Sequence, residues 1–159
     1  MGQKIRGEMM FTLSQRSLNN LRGVDDRLVD VVHRAIEITM IDFAVIEGLR
    51  TPEKQLEYYN KGASQIAVGG THVEGRAVDL MAYHDGQGSW DITFYDDIAD
   101  AMRQAAIDCD VGVRWGGAWH IPDIRDWNGT MQAAINDYVA TRRKQGQKPF
   151  IDGPHFELV

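Results

Sequence analysis

The chain has 159 residues, 43% hydrophobic and 25% charged, the length and composition of one ordinary globular domain with a real core. A formal charge of -6 and an isoelectric point near 5.3 exclude a protein whose main work is gripping nucleic acid or anionic lipid over a broad surface, though a local basic pocket remains open. The single cysteine, Cys109, excludes an intramolecular disulfide and a thiolate zinc cluster, so any metal must be held by histidine and carboxylate.

In chain order, the opening "MGQKIRGEMMFTL" lacks the apolar core and cleavage site of a secretory signal, and Arg6 stands where a myristoylation pattern wants Ser or Thr. No stretch approaches the ~18 apolar residues of a membrane span, so the expected place of synthesis and folding is a cytosol, with no stable membrane association. "LSQRSLNNL" spaces Leu13, Leu18 and Leu21 for a short helix that Gly23 closes. "VDDRLVDVVHRAIEITM" is a stronger helix, with acids at its start and Leu28, Val31, Val32, Ala35 and Ile36 on one stripe. His33 on it is expected to be a partly buried helix residue.

"FAVIEGLR", Phe43 to Arg50, reads as a strand, and "TPEKQLEYYNKG" as a helix with Thr51 as N-cap, Pro52 at the first position and Gly62 as the stop. A loop rich in Gly, Ser and Ala then leads to the strand "RAVDLMAY". "YHDGQGSW", with His84, reads as a turn, and "ITFYDDIADAMRQAAIDC" as a helix burying Ile92, Tyr95, Ile98, Met102 and Ala106, with Cys109 a buried structural thiol at its end. "VGVRWGGAW" is a short strand and turn, "WNGTMQAAINDYVATRRKQG" a third long helix, and "PHFELV" a last strand. Strands scattered among helices without a repeated βαβ period predict an α+β fold, a small mostly antiparallel sheet flanked by helices, in a single domain over residues 1–159.

Chemistry concentrates in two segments. In "GGTHVEGRAVDL", alternation puts Asp79 on one side of its strand with Ala77 and Met81, away from Val78 and Leu80. An ionised carboxylate there needs a partner, either an arginine or helix N-terminus or a metal. His72 lies seven residues earlier, and Gly75 between them permits a sharp turn that could bring the two together. "IDGPHFELV" supplies a second pair, Asp152 and His155, across a Gly-Pro turn; a capping Asp and an exposed strand His are the plain alternative. On that strand His155, Glu157 and Val159 share a face. The four residues form a chemically complete set, since catalytic zinc takes three His or carboxylate ligands, leaves a position for water, and works with a nearby carboxylate that accepts the proton.

"THVEGRAVDL" resembles the His-x-x-Gly-x-Ala-x-Asp signature of the VanY-like (LAS-type) zinc peptidases, which also take in lysostaphin-type enzymes and the hedgehog signalling domain. "GLRTPEKQ" resembles their Gly-x-Arg segment and "DGPHFELV" their acid-x-x-His ending, so three separated motifs run in the family's order over residues ~40 to 159. The likeness is greatest to phage endolysins of the L-alanyl-D-glutamate peptidase type. It implies a hedgehog/D-Ala-D-Ala peptidase-like fold with His72, Asp79 and His155 as ligands of one catalytic zinc, Asp152 as general base, and Arg50 holding substrate or the developing oxyanion. For Arg50 the alternative is a plain salt bridge to Glu47 or Asp79. Two positions depart from the family: many relatives have Glu where Asp152 stands, and Gly70 replaces a common Ser.

The resemblance implies hydrolysis of the L-alanyl-D-glutamate bond in peptidoglycan stem peptides, with Arg50 or Arg76 meeting the D-Glu carboxylate. It further implies a monomer without a separate wall-binding domain, waiting in the host bacterial cytoplasm until a holin gives access to the wall. The rival readings are a D-alanyl-D-alanine carboxypeptidase of the same fold and a non-catalytic zinc-containing wall-binding module. His120, Trp115 and Trp119 are candidate cleft residues, the tryptophans equally plain core. Acids in "YHDGQGSWD" and "PDIRDWN" could loosely hold calcium, although such carboxylates are usually only solvated.

Overall fold

The computed structural model describes residues 10–159; residues 1–9 of the stretch read for a signal or lipid anchor lie outside them. Its elements are α1 (Gln15–Asn20), α2 (Asp26–Ile38), β1 (Asp42–Glu47), α3 (Pro52–Asn60), β2 (Ala77–His84), β3 (Gln87–Ser89), α4 (Ile92–Cys109), β4 (Val113–Trp115), α5 (Met131–Lys144) and β5 (His155–Leu158), with a 3-10 turn at Ile124–Asp126. The strands form one sheet in the order β1-β2-β5-β4, β3 pairing with β2, and every pairing is antiparallel. The expected α+β class holds. Among the described residues no helix is long and apolar enough to cross a membrane.

Alternation divides the sheet into two chemically different faces. Phe43 and Val45 of β1, Val78, Leu80 and Ala82 of β2, Val113 and Trp115 of β4, and Phe156 and Leu158 of β5 are buried in one apolar cluster. Against that face packs α4, which in turn packs on α2 through the stripe Leu28, Val31, Val32, Ala35 and Ile36, all buried as the periodicity predicts. Each of the Val, Leu, Ile and Phe side chains contributes about 1.5–3 kcal/mol on leaving water, so this layer supports the sheet from behind. The other face carries Asp79, His155, Glu157 and Arg114 and is free for chemistry.

Several local expectations are corrected. In α1 the buried residue is Ser17, whose hydroxyl accepts the Val45 amide at 2.9 Å, while Leu18 is exposed. His33 is exposed and Cys109 only half-buried, and Ile92 opens α4 on its solvent side. "YHDGQGSW" is a hairpin: His84 ends β2 opposite Gln87, and Asp85 and Gly86 supply the two positive φ angles (52° and 76°) of a type I′ turn. Helix α5 begins at Met131, where the Thr130 side chain caps the Ala133 amide, leaving Trp127 in the loop before it.

Candidate metal centre

Asp79 and His155 are direct cross-strand partners on β2 and β5. Antiparallel neighbours on one face stand close enough for their side chains to meet, and His155 Nδ1 lies 3.3 Å from Asp79 Oδ1. His72 comes from the turn before β2. Gly75 (φ 72°) turns the chain there, in a place where a Cβ would stand 2.6 Å from the Gly23 carbonyl oxygen. The Arg50 amide donates to the His72 carbonyl at 3.0 Å, tying this turn to the end of β1. The His72 ring lands 5.0 Å from that of His155, with Nε2 3.3 Å from Asp79 Oδ1.

One ligand atom from each of His72, Asp79 and His155 lies within 4.8 Å of the others. His72 Nδ1 donates to the Gly48 carbonyl at 2.9 Å, which leaves Nε2 as a bare lone pair, buried without a hydrogen-bond partner and facing a carboxylate. His155 Nε2 donates to Glu157 Oε1 at 2.8 Å, so its Nδ1 is the nitrogen presented to Asp79. Each imidazole is thus held by its other nitrogen, the arrangement by which proteins aim histidines at metal ions. Two imidazole nitrogens and a carboxylate oxygen converging on one buried point are a donor set that fits a divalent ion, whose charge would take the place of the proton that the flanking carboxylates otherwise favour on His155.

The electrostatics agree. Burial alone would raise the Asp79 carboxyl, but the hydrogen bond to the His155 ring, with His72 beside it, outweighs burial and holds the group well below the usual carboxylate range. Burial likewise favours neutral His155, yet the flanking carboxylates of Asp79 and Glu157 push it up to about 9. Asp152 shifts the opposite way from Asp79: burial first, then the nearby Asp79 charge, raise its pKa, partly offset by His155, His72 and Arg50. Two carboxyls in one site with pKa values driven apart is the pattern of a charge-holding and a proton-carrying pair. Gly116 makes the placement of Asp152 possible, since a Cβ there would meet the Asp152 carbonyl oxygen at 2.2 Å.

Arg50 makes both of its alternative pairings at once. It forms an ion pair with Glu47, donates to Gln55 Oε1 at 2.7 Å, stacks over Tyr58, and brings Nη2 to 3.8 Å from Asp79 Oδ2. A β-bulge between Val45 and Glu47 explains why Glu47 is available: Val45 pairs with Leu80 on the core face, whereas Glu47 pairs with Asp79 on the site face. Gly48 follows, in a place where a Cβ would meet the Asn20 carbonyl oxygen at 2.3 Å, and its own carbonyl receives His72.

The group sits in a cavity of about 920 Å³ that spans the sheet. Arg50, Gln55 and Tyr58 line it on the β1 side, the metal-type triad and Asp152 lie over the central strands, and Trp119, His120, Tyr138 and Arg142 line it on the β4 side. Trp115 is fully buried core, while Trp119 packs 5.4 Å from the His155 ring. His120 lines the cavity but is engaged with Asp137 at 2.7 Å. Arg76 does not line it; it donates to the Leu158 carbonyl and pairs with Glu74, which removes it as a candidate for the substrate carboxylate. Thr71, beside Gly70, donates to Glu157 at 3.4 Å. Of the acids read as loose calcium ligands, Asp91 caps α4 and Asp123 caps the 3-10 turn and pairs with Arg125.

Residues 9–159 match the profile of the family described as phage L-alanyl-D-glutamate peptidase. The chain belongs to that family. Its relatives include the L-alanyl-D-glutamate peptidase of Escherichia phage T5, 27% identical over 154 residues that cover 95% of this chain and 100% of that protein. Among solved structures, the Serratia marcescens L-Ala D-Glu endopeptidase ChiX is similar with a TM-score of 0.68 at 32% identity, over 96% of this chain and 94% of the other. Within this family member, sequence reasoning left Glu157 and Gly48 out of the site and named Glu47 only as a possible salt-bridge partner of Arg50. Glu157 carried a signal, because it shares a strand face with His155; the face on which Glu47 stands carried none, because a bulge reverses the one that alternation assigns.

Proposed function

We propose that the protein is a phage endolysin, a zinc metallopeptidase that hydrolyses the L-alanyl-D-glutamate bond of peptidoglycan stem peptides. The observation that carries this reading is the convergence of His72 Nε2, Asp79 and His155 Nδ1 in one cavity of a chain whose family and relatives bear that activity in their names. Zinc held by these three groups would polarise the scissile carbonyl and acidify a water molecule; the same donors also suit other divalent ions, and zinc is favoured by the family resemblance. Glu157 and the Gly48 carbonyl keep the two imidazoles aimed.

Asp152 serves as general base, taking the proton of the attacking water on its carboxylate and passing it to the departing glutamyl nitrogen. Its raised pKa suits both halves of that transfer. Arg50, fixed by Glu47 and Gln55, supplies positive charge against the negative charge that develops on the carbonyl oxygen. In this reading residues 1–159 act as one monomeric catalytic unit that reaches the wall once a holin opens the inner membrane.

Digestion of purified peptidoglycan, with the new termini identified by mass spectrometry, tests the proposal. New N-terminal D-glutamate is the expected product. Release of free D-alanine without it would transfer the assignment to a D-alanyl-D-alanine carboxypeptidase, and no cleavage at all would leave a binding module.

A further inference from the structure

The substrate class proposed above carries its own charge. A D-glutamyl residue acylated on nitrogen by L-alanine has two carboxyl groups, and a stem peptide that continues through one leaves the other free. A free carboxylate entering a half-enclosed cavity needs a cation with unused donors. Three arginines line this cavity in addition to its metal-type triad, and they differ in what they already hold. Arg50 is committed to Glu47 and Gln55. Arg114 donates from Nε and Nη2 to the Trp119 carbonyl and lies over the Trp119 ring.

Arg142 is different. It stands in the last turn of α5, its Nε is buried without a hydrogen-bond partner, and among the described residues no acidic side chain pairs with it. Neighbouring Arg143 and Lys144 are exposed and already supply the positive charge that favours a helix C-terminus, so that role does not account for Arg142 being turned toward the cavity. Thr141 and Gln145 line the same wall and add polar groups beside it.

We infer that Arg142 is the carboxylate-binding residue of the substrate site, recognising the free carboxylate of the D-glutamyl residue and thereby selecting stem peptides in which that group is an acid rather than an amide. The inference rests on the proposed peptidase reading. A guanidinium meeting a carboxylate makes two parallel charge-assisted hydrogen bonds, which a carboxamide of the same shape cannot match.

The test uses the zinc-loaded full chain and two synthetic stem peptides that differ only in whether this carboxyl is free or amidated. Wild-type protein should favour the acid by about tenfold or more in kcat/KM, and Arg142→Gln should lose about 10- to 100-fold on the acid, mainly through KM, while changing less than about threefold on the amide. Arg142→Lys should restore part of the preference. Equal losses on both peptides, or a wild-type protein indifferent to the amide, would overturn the role of Arg142 while leaving the peptidase reading intact. Wild-type protein that cleaves neither peptide nor purified peptidoglycan would overturn the peptidase reading and this inference with it.

Discussion

Asp152 and Asp79 are both carboxylates lining one cavity, and their surroundings shift their pKa values in opposite directions. Asp79 is held ionised chiefly by the His155 ring, whereas Asp152 has a raised pKa, the direction that suits the proton transfer proposed for it. Asp152→Asn should therefore lower kcat by about 10²- to 10⁴-fold while the protein retains its metal, read by steady-state kinetics beside metal analysis. A loss of metal in that variant would make Asp152 a ligand instead. A third acid, Asp96 on α4, is buried with Oδ1 unpartnered and is pushed up to about 6, by burial first and then by Asp100, Asp97 and Asp91. The folded chain thus holds this proton up to a higher pH than the unfolded chain, whose aspartates titrate near 3.8, and stability from this group is lost as pH rises from about 4 to 6. Asp96→Asn should raise stability by about 1–2 kcal/mol at pH 7, after allowance for solvent screening, and by little at pH 4, measured by urea denaturation at the two pH values.

At the scale of elements, the site depends on places where regular structure is interrupted. The helices were legible because their periodicity and caps are local: Thr51 accepts the Lys54 amide and Pro52 opens α3 as the sequence predicts. Strand β2 was legible because its two faces differ in polarity, and the same alternation isolated Asp79. The bulge before Glu47 was not legible, since no residue type there announces it and its cause is pairing with a strand more than 30 residues away. The turn after β4 is a second such place. A methyl group at Gly116 would drive into the Asp152 carbonyl oxygen, so Gly116→Ala should destabilise the fold by about 1–3 kcal/mol and lower kcat more than it raises KM, by moving Asp152. Thermal melting and kinetics on the purified variant check both effects.

At the scale of the whole molecule, the three residues that could hold a metal come together only on folding, so an ion bound there would add to stability. Removing the metal should lower Tm by about 5–10 °C for zinc at a hundredfold its Kd, zinc should restore it, and His72→Ala should respond to neither treatment. A scanning calorimeter reads all three, and an unchanged zinc response in His72→Ala would remove that residue from the ligand set. The sequence by itself determined most of the helices and the fold class, because helical periodicity and capping are properties of short stretches, and with the family resemblance it named His72, Asp79 and His155 as one group. Only the tertiary structure decided which nitrogen each histidine presents, that Glu157 and the Gly48 carbonyl hold those rings, that Arg76 faces away and that Arg142 faces in. Those facts depend on register, a bulge and helix-to-sheet packing, contacts between residues as many as 82 positions apart that no local pattern encodes.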